Sequence, residues 1–182
     1  MSLTIILGNM FSGKTSELIR RLKRYKVIGK KVLVINSQKD IRSPEEVLHT
    51  HDLDTYTCLK TNDLVTINFL EADVVAIDEA QFFKGLKDFV QMLLSCEKTV
   101  IIAGLNGDYL QRPFGELLEC IPLADEILKL SALCMGCMDG TLGPFTKRIV
   151  KNDEVELVGD RDIYRAVCRK HLAMHPSSVW LT

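Results

Sequence analysis

The chain has 182 residues, 47% of them hydrophobic, and its 23 Lys and Arg nearly cancel 24 Asp and Glu, for a formal net charge of -1. That length suits one domain or one domain with a small appendage, with enough apolar residues for an ordinary core. The charge balance argues against the basic footprint of a nucleic-acid-binding surface, and no apolar run approaches the roughly 18 residues of a membrane span, so neither partner is expected.

In chain order, Leu3–Leu7 is an apolar strand pattern that follows the Met-Ser start directly. Without a basic leader or signal-peptide core there, a cytoplasmic location is expected. A helix is predicted from Lys14 to Val27, with Leu18, Ile19, Leu22 and Tyr25 at helical spacing and Gly29 as its stop. Lys31–Asn36 reads as a buried strand, and Gln38–Asn62 as a long polar loop with short pieces of structure. Val74–Ile77 and Thr99–Ala103 are further strands, separated by a helix predicted over Phe83–Leu94. A short helix fits Phe114–Cys120, and Glu126–Leu133 fits a fifth strand. Such alternation of apolar strands with helices predicts an α/β fold, a parallel sheet covered by helices on both faces. From about Ser131 the texture changes to a Gly-rich stretch, hairpin-like strands at Phe145–Val150 and Val155–Val158, and a last helix over Asp160–His171. The expected division is therefore 1–130 as a nucleotide-binding domain and 131–182 as a small appended subdomain.

The segment Gly8-Asn9-Met10-Phe11-Ser12-Gly13-Lys14-Thr15 matches the phosphate loop G-x-x-x-x-G-K-[ST] between a strand and a helix. Its glycines let backbone N–H groups turn inward around an anion, and the following helix adds its positive end. Lys14 is placed to reach the β- and γ-phosphates of ATP, and the Thr15 hydroxyl to ligate magnesium. Asp78 ends an apolar strand and is read as the second magnesium-associated acid. Glu79 lies beside it, at the strand end where open α/β sheets bind ligands. A carboxylate there can take the proton of a substrate hydroxyl during phosphoryl transfer, or polarise water in an ATPase.

Cys134-x-x-Cys137 and Cys168-x-x-His171 are two knuckle-like pairs that suit tetrahedral zinc as a Cys3His set. They are further apart than the roughly 15–20 residues of zinc-ribbon patterns, so the intervening chain must return on itself. His175 is an alternative fourth ligand, although the C-x-x-H spacing favours His171. A closed ligand set makes the zinc structural. Of the other cysteines, Cys96 and Cys120 lie in apolar helical contexts and read as small core residues, while Cys58 has no evident partner.

Taken together, these residues resemble the type II thymidine kinases, a small cytosolic and viral family with a RecA-like domain and a zinc-bearing lasso subdomain. The likeness spans nearly the whole chain. It runs through Gly8–Thr15, Lys39–Arg42, Thr50–Asp52, Ile77–Phe83 and Gly104–Gly115, then Cys134–Cys137, Thr146–Arg148, Glu154–Gly159 and Tyr164–His171. The resemblance implies magnesium-dependent transfer of the ATP γ-phosphoryl group to the 5′-hydroxyl of thymidine, with Glu79 as general base and Asp78 as the magnesium-associated acid. It implies nucleotide contacts from Gly8, Asn9, Met10, Phe11, Ser12, Gly13, Lys14 and Thr15, from Asp40, Ile41 and Arg42, and from Asp78, Glu79, Ala80 and Gln81. The implied thymidine pocket draws on Met10, Phe82, Leu105, Tyr109, Phe114, Thr146, Val155, Glu156, Leu157, Val158, Gly159 and Tyr164. Apolar and aromatic side chains would sandwich the base while lasso backbone groups meet its edges. The family also implies a homotetramer.

Departures from the family pattern are Tyr109 where Phe is more usual, Asn106 in place of a common Asp, and extra residues between Cys137 and Thr146, including Gly143-Pro144. They bear on the lasso more than on the phosphate loop. Two other readings are a zinc-bearing ATPase acting on nucleic acid, suggested by Asp78-Glu79-Ala80-Gln81, and a nucleotide sensor without turnover. The short chain and near-neutral charge weigh against the first.

Overall fold

The apolar runs become strands buried on both faces. The computed structural model describes residues 1–40, 47–49, 55–150, 159 and 162–173. Strand β1 (Ser2–Gly8) leads through a loop into α1 (Lys14–Val27), followed by β2 (Val32–Ser37). Next come β3 (Val47–His49), β4 (Thr55–Thr57), β5 (Leu59–Thr61) and β6 (Val74–Ile77). A 3-10 turn (Ala80–Phe82) and α2 (Leu86–Ser95) precede β7 (Thr99–Leu105). A second 3-10 segment (Leu117–Leu123) leads to β8 (Glu126–Leu130). The chain continues through β9 (Ala132–Leu133), β10 (Leu142–Gly143), β11 (Phe145–Arg148), β12 (Tyr164–Val167) and α3 (Arg169–Ala173).

Among the described residues, six strands pair in parallel in the order β5-β2-β6-β7-β1-β8. Successive side chains on a strand face opposite sides, so each central strand feeds two cores. Ile5 and Leu7 of β1, Val75 and Ile77 of β6, and Val100 and Ile102 of β7 pack with Leu86, Phe89, Leu93 and Leu117. On the other face Ile6, Val74, Ala76, Ile101 and Ala103 pack with Leu18, Ile19 and Leu22 of α1. Burying a large aliphatic side chain is worth about 1.5–3 kcal/mol, and this double burial makes the sheet the rigid base of the molecule. The α/β architecture with helices on both faces is as the sequence predicts. Because every pairing is parallel, β1, β6 and β7 deliver Gly8, Asp78 and Leu105 to the same sheet edge. That edge is where open α/β sheets bind ligands. No helix among the described residues is long and apolar enough to cross a membrane.

Beyond Ser131 the pairings are short and antiparallel. β9 pairs with β10, and β11 pairs with β12 in the register Phe145↔Val167 to Arg148↔Tyr164. This corrects the helix expected over Asp160–His171, because Tyr164–Val167 is a strand and α3 begins only at Arg169. Pairing with β11 buries Tyr164, Ala166 and Val167, and this tertiary contact wins over the local helical preference. Val155–Val158, the expected hairpin partner of β11, lies outside the described residues. The helix expected to start at Phe83 starts at Leu86, because Gly85 takes a left-handed N-cap conformation at φ 69°. Phe114–Cys120 is not an α-helix; a 3-10 segment containing Pro122 replaces it from Leu117. The strand expected over Glu126–Leu133 breaks at Ser131 into β8 and β9. Cys96 caps the end of α2 and is exposed, not a core residue, whereas Cys120 is buried.

Candidate active site and metal centre

The loop after β1 curls because its own donors converge on one acceptor. The Ser12 hydroxyl and the Lys14 ammonium both donate to the Asn9 carbonyl, at 2.8 Å and 2.9 Å. Gly13 supplies the left-handed conformation that α1 needs at its N-cap, at φ 82°. Gly8 cannot carry a side chain, since a Cβ there would stand 2.9 Å from the Leu130 carbonyl oxygen and against Ser12. The result is a glycine-permitted turn with a buried lysine at the start of a 14-residue helix. Such a turn suits an anion. Thr15, in the first turn of α1, donates its hydroxyl to Asp78 Oδ2 at 2.8 Å. The two elements that carry the oxygen ligands expected for a hard cation therefore touch.

Glu79 follows Asp78 in a left-handed conformation, φ 49° and ψ 41°. A side-chain-bearing residue is held there at a cost of roughly 1–2 kcal/mol. Its carboxylate is buried and accepts a hydrogen bond from Gln81 Nε2 at 2.6 Å. Gln81 Oε1 accepts in turn from the Leu105 backbone N–H at 2.9 Å. Asp40, at the end of β2, accepts from Asn36 Nδ2 at 3.1 Å, and its carbonyl accepts from Lys60 at 2.7 Å.

The predicted pocket residues fall into three contact groups. Thr146 Oγ1 accepts the Met10 backbone N–H at 3.0 Å, which joins β11 to the loop after β1. Asn9 reinforces that seam through its Nδ2, which donates to the Gly143 carbonyl at 2.9 Å, and its Oδ1, which accepts from the Ala132 N–H at 3.2 Å. Phe82 and Phe114 meet edge to face with centroids 5.6 Å apart, and the Lys39 ammonium lies 5.6 Å from the Phe82 ring centre. Tyr109 and Tyr164 are joined by Arg148, whose guanidinium sits 3.8 Å from the Tyr109 ring centre and donates to the Tyr164 hydroxyl at 2.8 Å. Gly159 packs against Ile163. Ile41, Arg42, Val155, Glu156, Leu157, Val158 and the alternative ligand His175 lie outside the described residues.

Cys134, Cys137, Cys168 and His171 form one cluster, with all ligand atoms within 4.8 Å of one another. Cys137 Sγ lies 3.8 Å from Cys168 Sγ, and His171 Nδ1 lies 3.5, 3.4 and 3.3 Å from the sulfurs of Cys134, Cys137 and Cys168. A tetrahedron with metal–sulfur bonds of about 2.3 Å has edges of about 3.8 Å, so the spacing fits a zinc ion. Burial raises the Cys134 thiol, but N–H groups of Cys168, Gly136 and Cys137 pointed at its sulfur outweigh that and hold it down at about 6. Burial and the neighbouring Cys134 and Cys168 thiols push Cys137 the other way, to about 11. Gly136 is required by this packing, since a Cβ would come within 2.7 Å of the His171 ring.

Sequence reasoning singled out neither Arg148 nor Lys39 as a pocket residue. Their signal was weak, Arg148 being one of two adjacent cations in Thr146-Lys147-Arg148 and Lys39 a cation beside Asp40. Only the fold shows that both cations lie against aromatic rings named for the pocket.

Comparison with known proteins agrees with this geometry. A family model described as thymidine kinase matches residues 1–172. The thymidine kinase of Yaba monkey tumor virus is 43% identical over 167 residues, covering 91% of this chain and 91% of that protein. The cytosolic thymidine kinase of Homo sapiens is 41% identical over 167 residues, covering 91% of this chain and 70% of the relative. Thymidine kinase a of Arabidopsis thaliana is 41% identical over 175 residues, covering 92% and 73%. A match of that length, over a sheet edge that brings a glycine-bent loop to two buried acids, makes this chain a member of the thymidine kinase family and a phosphotransferase acting on thymidine.

Proposed function

We propose that the enzyme transfers the γ-phosphoryl group of ATP to the 5′-hydroxyl of thymidine, giving thymidine monophosphate and ADP, with Glu79 as the base. The observation that carries this reading is the meeting of Thr15 with Asp78 at 2.8 Å directly beside the buried Glu79 carboxylate. The loop from Gly8 to Thr15 cradles the phosphates, with Lys14 turning from the Asn9 carbonyl to the anion. Asp40, Ile41, Arg42 and the turn from Asp78 to Ala80 complete the nucleotide side. Thr15 and Asp78 hold magnesium, which neutralises charge on the β- and γ-phosphates when bound. Glu79 takes the 5′-hydroxyl proton as the hydroxyl oxygen bonds to the γ-phosphorus and the bond to the β-phosphate oxygen breaks.

Thymidine is held by Met10, Phe82, Leu105, Tyr109, Phe114, Thr146 and Tyr164, with Val155, Glu156, Leu157, Val158 and Gly159 supplying backbone contacts to the base. Cys134, Cys137, Cys168 and His171 hold a structural zinc, which cross-links the ends of the segment bearing Thr146 and Tyr164. On this reading 1–130 is the nucleotide-binding domain and 131–182 the zinc-bearing lasso. Family likeness supports a homotetramer, which light scattering after size exclusion tests. The cytosolic thymidine kinase of Homo sapiens, to which the chain is similar, supports a cytoplasmic location.

A radiolabel transfer assay with thymidine, deoxycytidine and deoxyuridine as competing acceptors tests the reaction. The expected result is label on thymidine, dependent on magnesium and abolished by Glu79→Gln. Near-parental turnover in Glu79→Gln removes Glu79 from the mechanism.

A further inference from the structure

We propose that Gln81 is a positioning residue that aims the Glu79 carboxylate and ties it to the end of β7, instead of contacting the nucleotide as the family pattern implies. The inference rests on Glu79 being the base. Its ground is the two-ended engagement of one amide. Nε2 donates to Glu79 Oε2 at 2.6 Å, while Oε1 accepts from the Leu105 N–H at 2.9 Å. A carboxylate only accepts and a backbone N–H only donates, so the two partners fix which way the amide points. Glutamine alone has the length and both functions to bridge them.

The surroundings are built around this side chain. Gln81 is 3% exposed, which leaves it little surface to offer a ligand. A Cβ on Gly104 would stand 2.5 Å from Gln81 Oε1 and 2.8 Å from Leu117 Cδ2. A Cβ on Gly115 would stand 2.9 Å from the Gln81 carbonyl carbon, and Gly115 itself adopts φ 63°. Gly104 thus clears space for the glutamine side chain, and Gly115 for the backbone that carries it. Glu79 needs such a clamp because its left-handed backbone is strained, and strain persists only where neighbours over-determine it. Leu105 starts the loop that carries Tyr109, so the same amide links the base to the thymidine side. Of the described charged groups at this edge, Lys14, Asp40 and Asp78 bond Asn9, Asn36 and Thr15, and neither Gln81 variant changes them in sequence.

Two variants isolate the effect. Gln81→Met keeps length and bulk but donates nothing; Gln81→Glu keeps the acceptor for Leu105 but faces Glu79 with a second carboxylate. A hydrogen bond donated to a carboxylate favours its charged form, and a like charge disfavours it. The acid limb of kcat/KM against pH reports the free enzyme's base. It is expected to move up by about one pH unit in both variants, further in Gln81→Glu. At neutral pH kcat is expected to fall about 10- to 100-fold while binding of a fluorescent ATP analogue changes less than about threefold.

Acid limbs that coincide with the parent's overturn the clamp. So does loss of ATP-analogue binding in both variants, which would assign Gln81 to the nucleotide. An inactive Glu79→Gln enzyme alongside unmoved limbs sinks the clamp alone. An active Glu79→Gln enzyme sinks the base, and the clamp with it.

Discussion

Gly8, Thr15, Asp78 and Glu79 stand on or beside strands buried on both faces, in a sheet whose neighbours interlock over six strands. Thr146 and Tyr164 stand instead on a two-strand ribbon of four residue pairs, with four soft ligands gathered at its foot. The first region is positioned by apolar burial spread over many side chains. The second has little core of its own and depends on a few polar and metal-binding contacts. On the proposed reading, phosphoryl donor and acceptor are therefore held by different physics, and the two can be disturbed separately.

The largest effect should come from the sheet edge. Glu79→Gln is expected to lower kcat by about 10²–10⁴-fold with ATP-analogue binding kept; equal losses in both would mean that the edge itself had collapsed. The ribbon is tested next. Purified enzyme should carry about one zinc per chain, and Cys168→Ala should lose it and raise the thymidine KM at least about tenfold, with ATP-analogue affinity nearly unchanged. Metal analysis and two binding titrations read this out, and a parallel loss of ATP affinity would erase the distinction between the regions.

A smaller effect is expected from Arg148→Met, which removes a buried cation from the Tyr109 and Tyr164 rings. Such a contact is worth about 2 kcal/mol when desolvated, so thymidine KM should rise about 10- to 30-fold with ATP KM unmoved. The smallest effect is one of stability, in the first turn of α1. Hydrogen bonding from Arg20, opposed by burial and helped by Arg21, holds the Glu17 carboxyl at about 2, against 4.5 ordinarily. Because the folded value is the lower one, the stabilisation is present above about 4.5 and fades as pH falls toward about 2. Partly exposed pairs of this kind contribute about 0.5–1 kcal/mol. Glu17→Gln should therefore lower Tm by about 1–3 °C at pH 7, and the gap should narrow by pH 3 and close only near pH 2.

The contrast also explains what could be read from sequence. β1, the loop after it and α1 were legible because an apolar run, two glycines and a lysine all specify the same local turn. Val74–Ile77 was legible because four consecutive apolar residues make a strand buried on both faces. The Cys3His cluster was legible from ligand spacing alone, although the spacing does not reveal how Gly136 admits the His171 ring. Tyr164–Val167 was misread as helix because its strand exists only by pairing with β11, a contact that local pattern does not encode. The start of α2 was misjudged because Gly85, not the apolar Phe83, sets it. Arg148 was passed over because a cation inside a short basic run looks solvated until the fold lays it against two rings.

Asn9 belongs to the donor side by sequence, yet its carboxamide grips Gly143 and Ala132 on the acceptor side. On the proposed reading, a shift in that turn as a triphosphate settles would pass through these two hydrogen bonds to the β9–β10 pair. Thermodynamic reciprocity then requires thymidine to alter ATP affinity by the same factor that ATP alters thymidine affinity. Calorimetry with a non-hydrolysable triphosphate should show that mutual factor, and Asn9→Ala should bring it close to one.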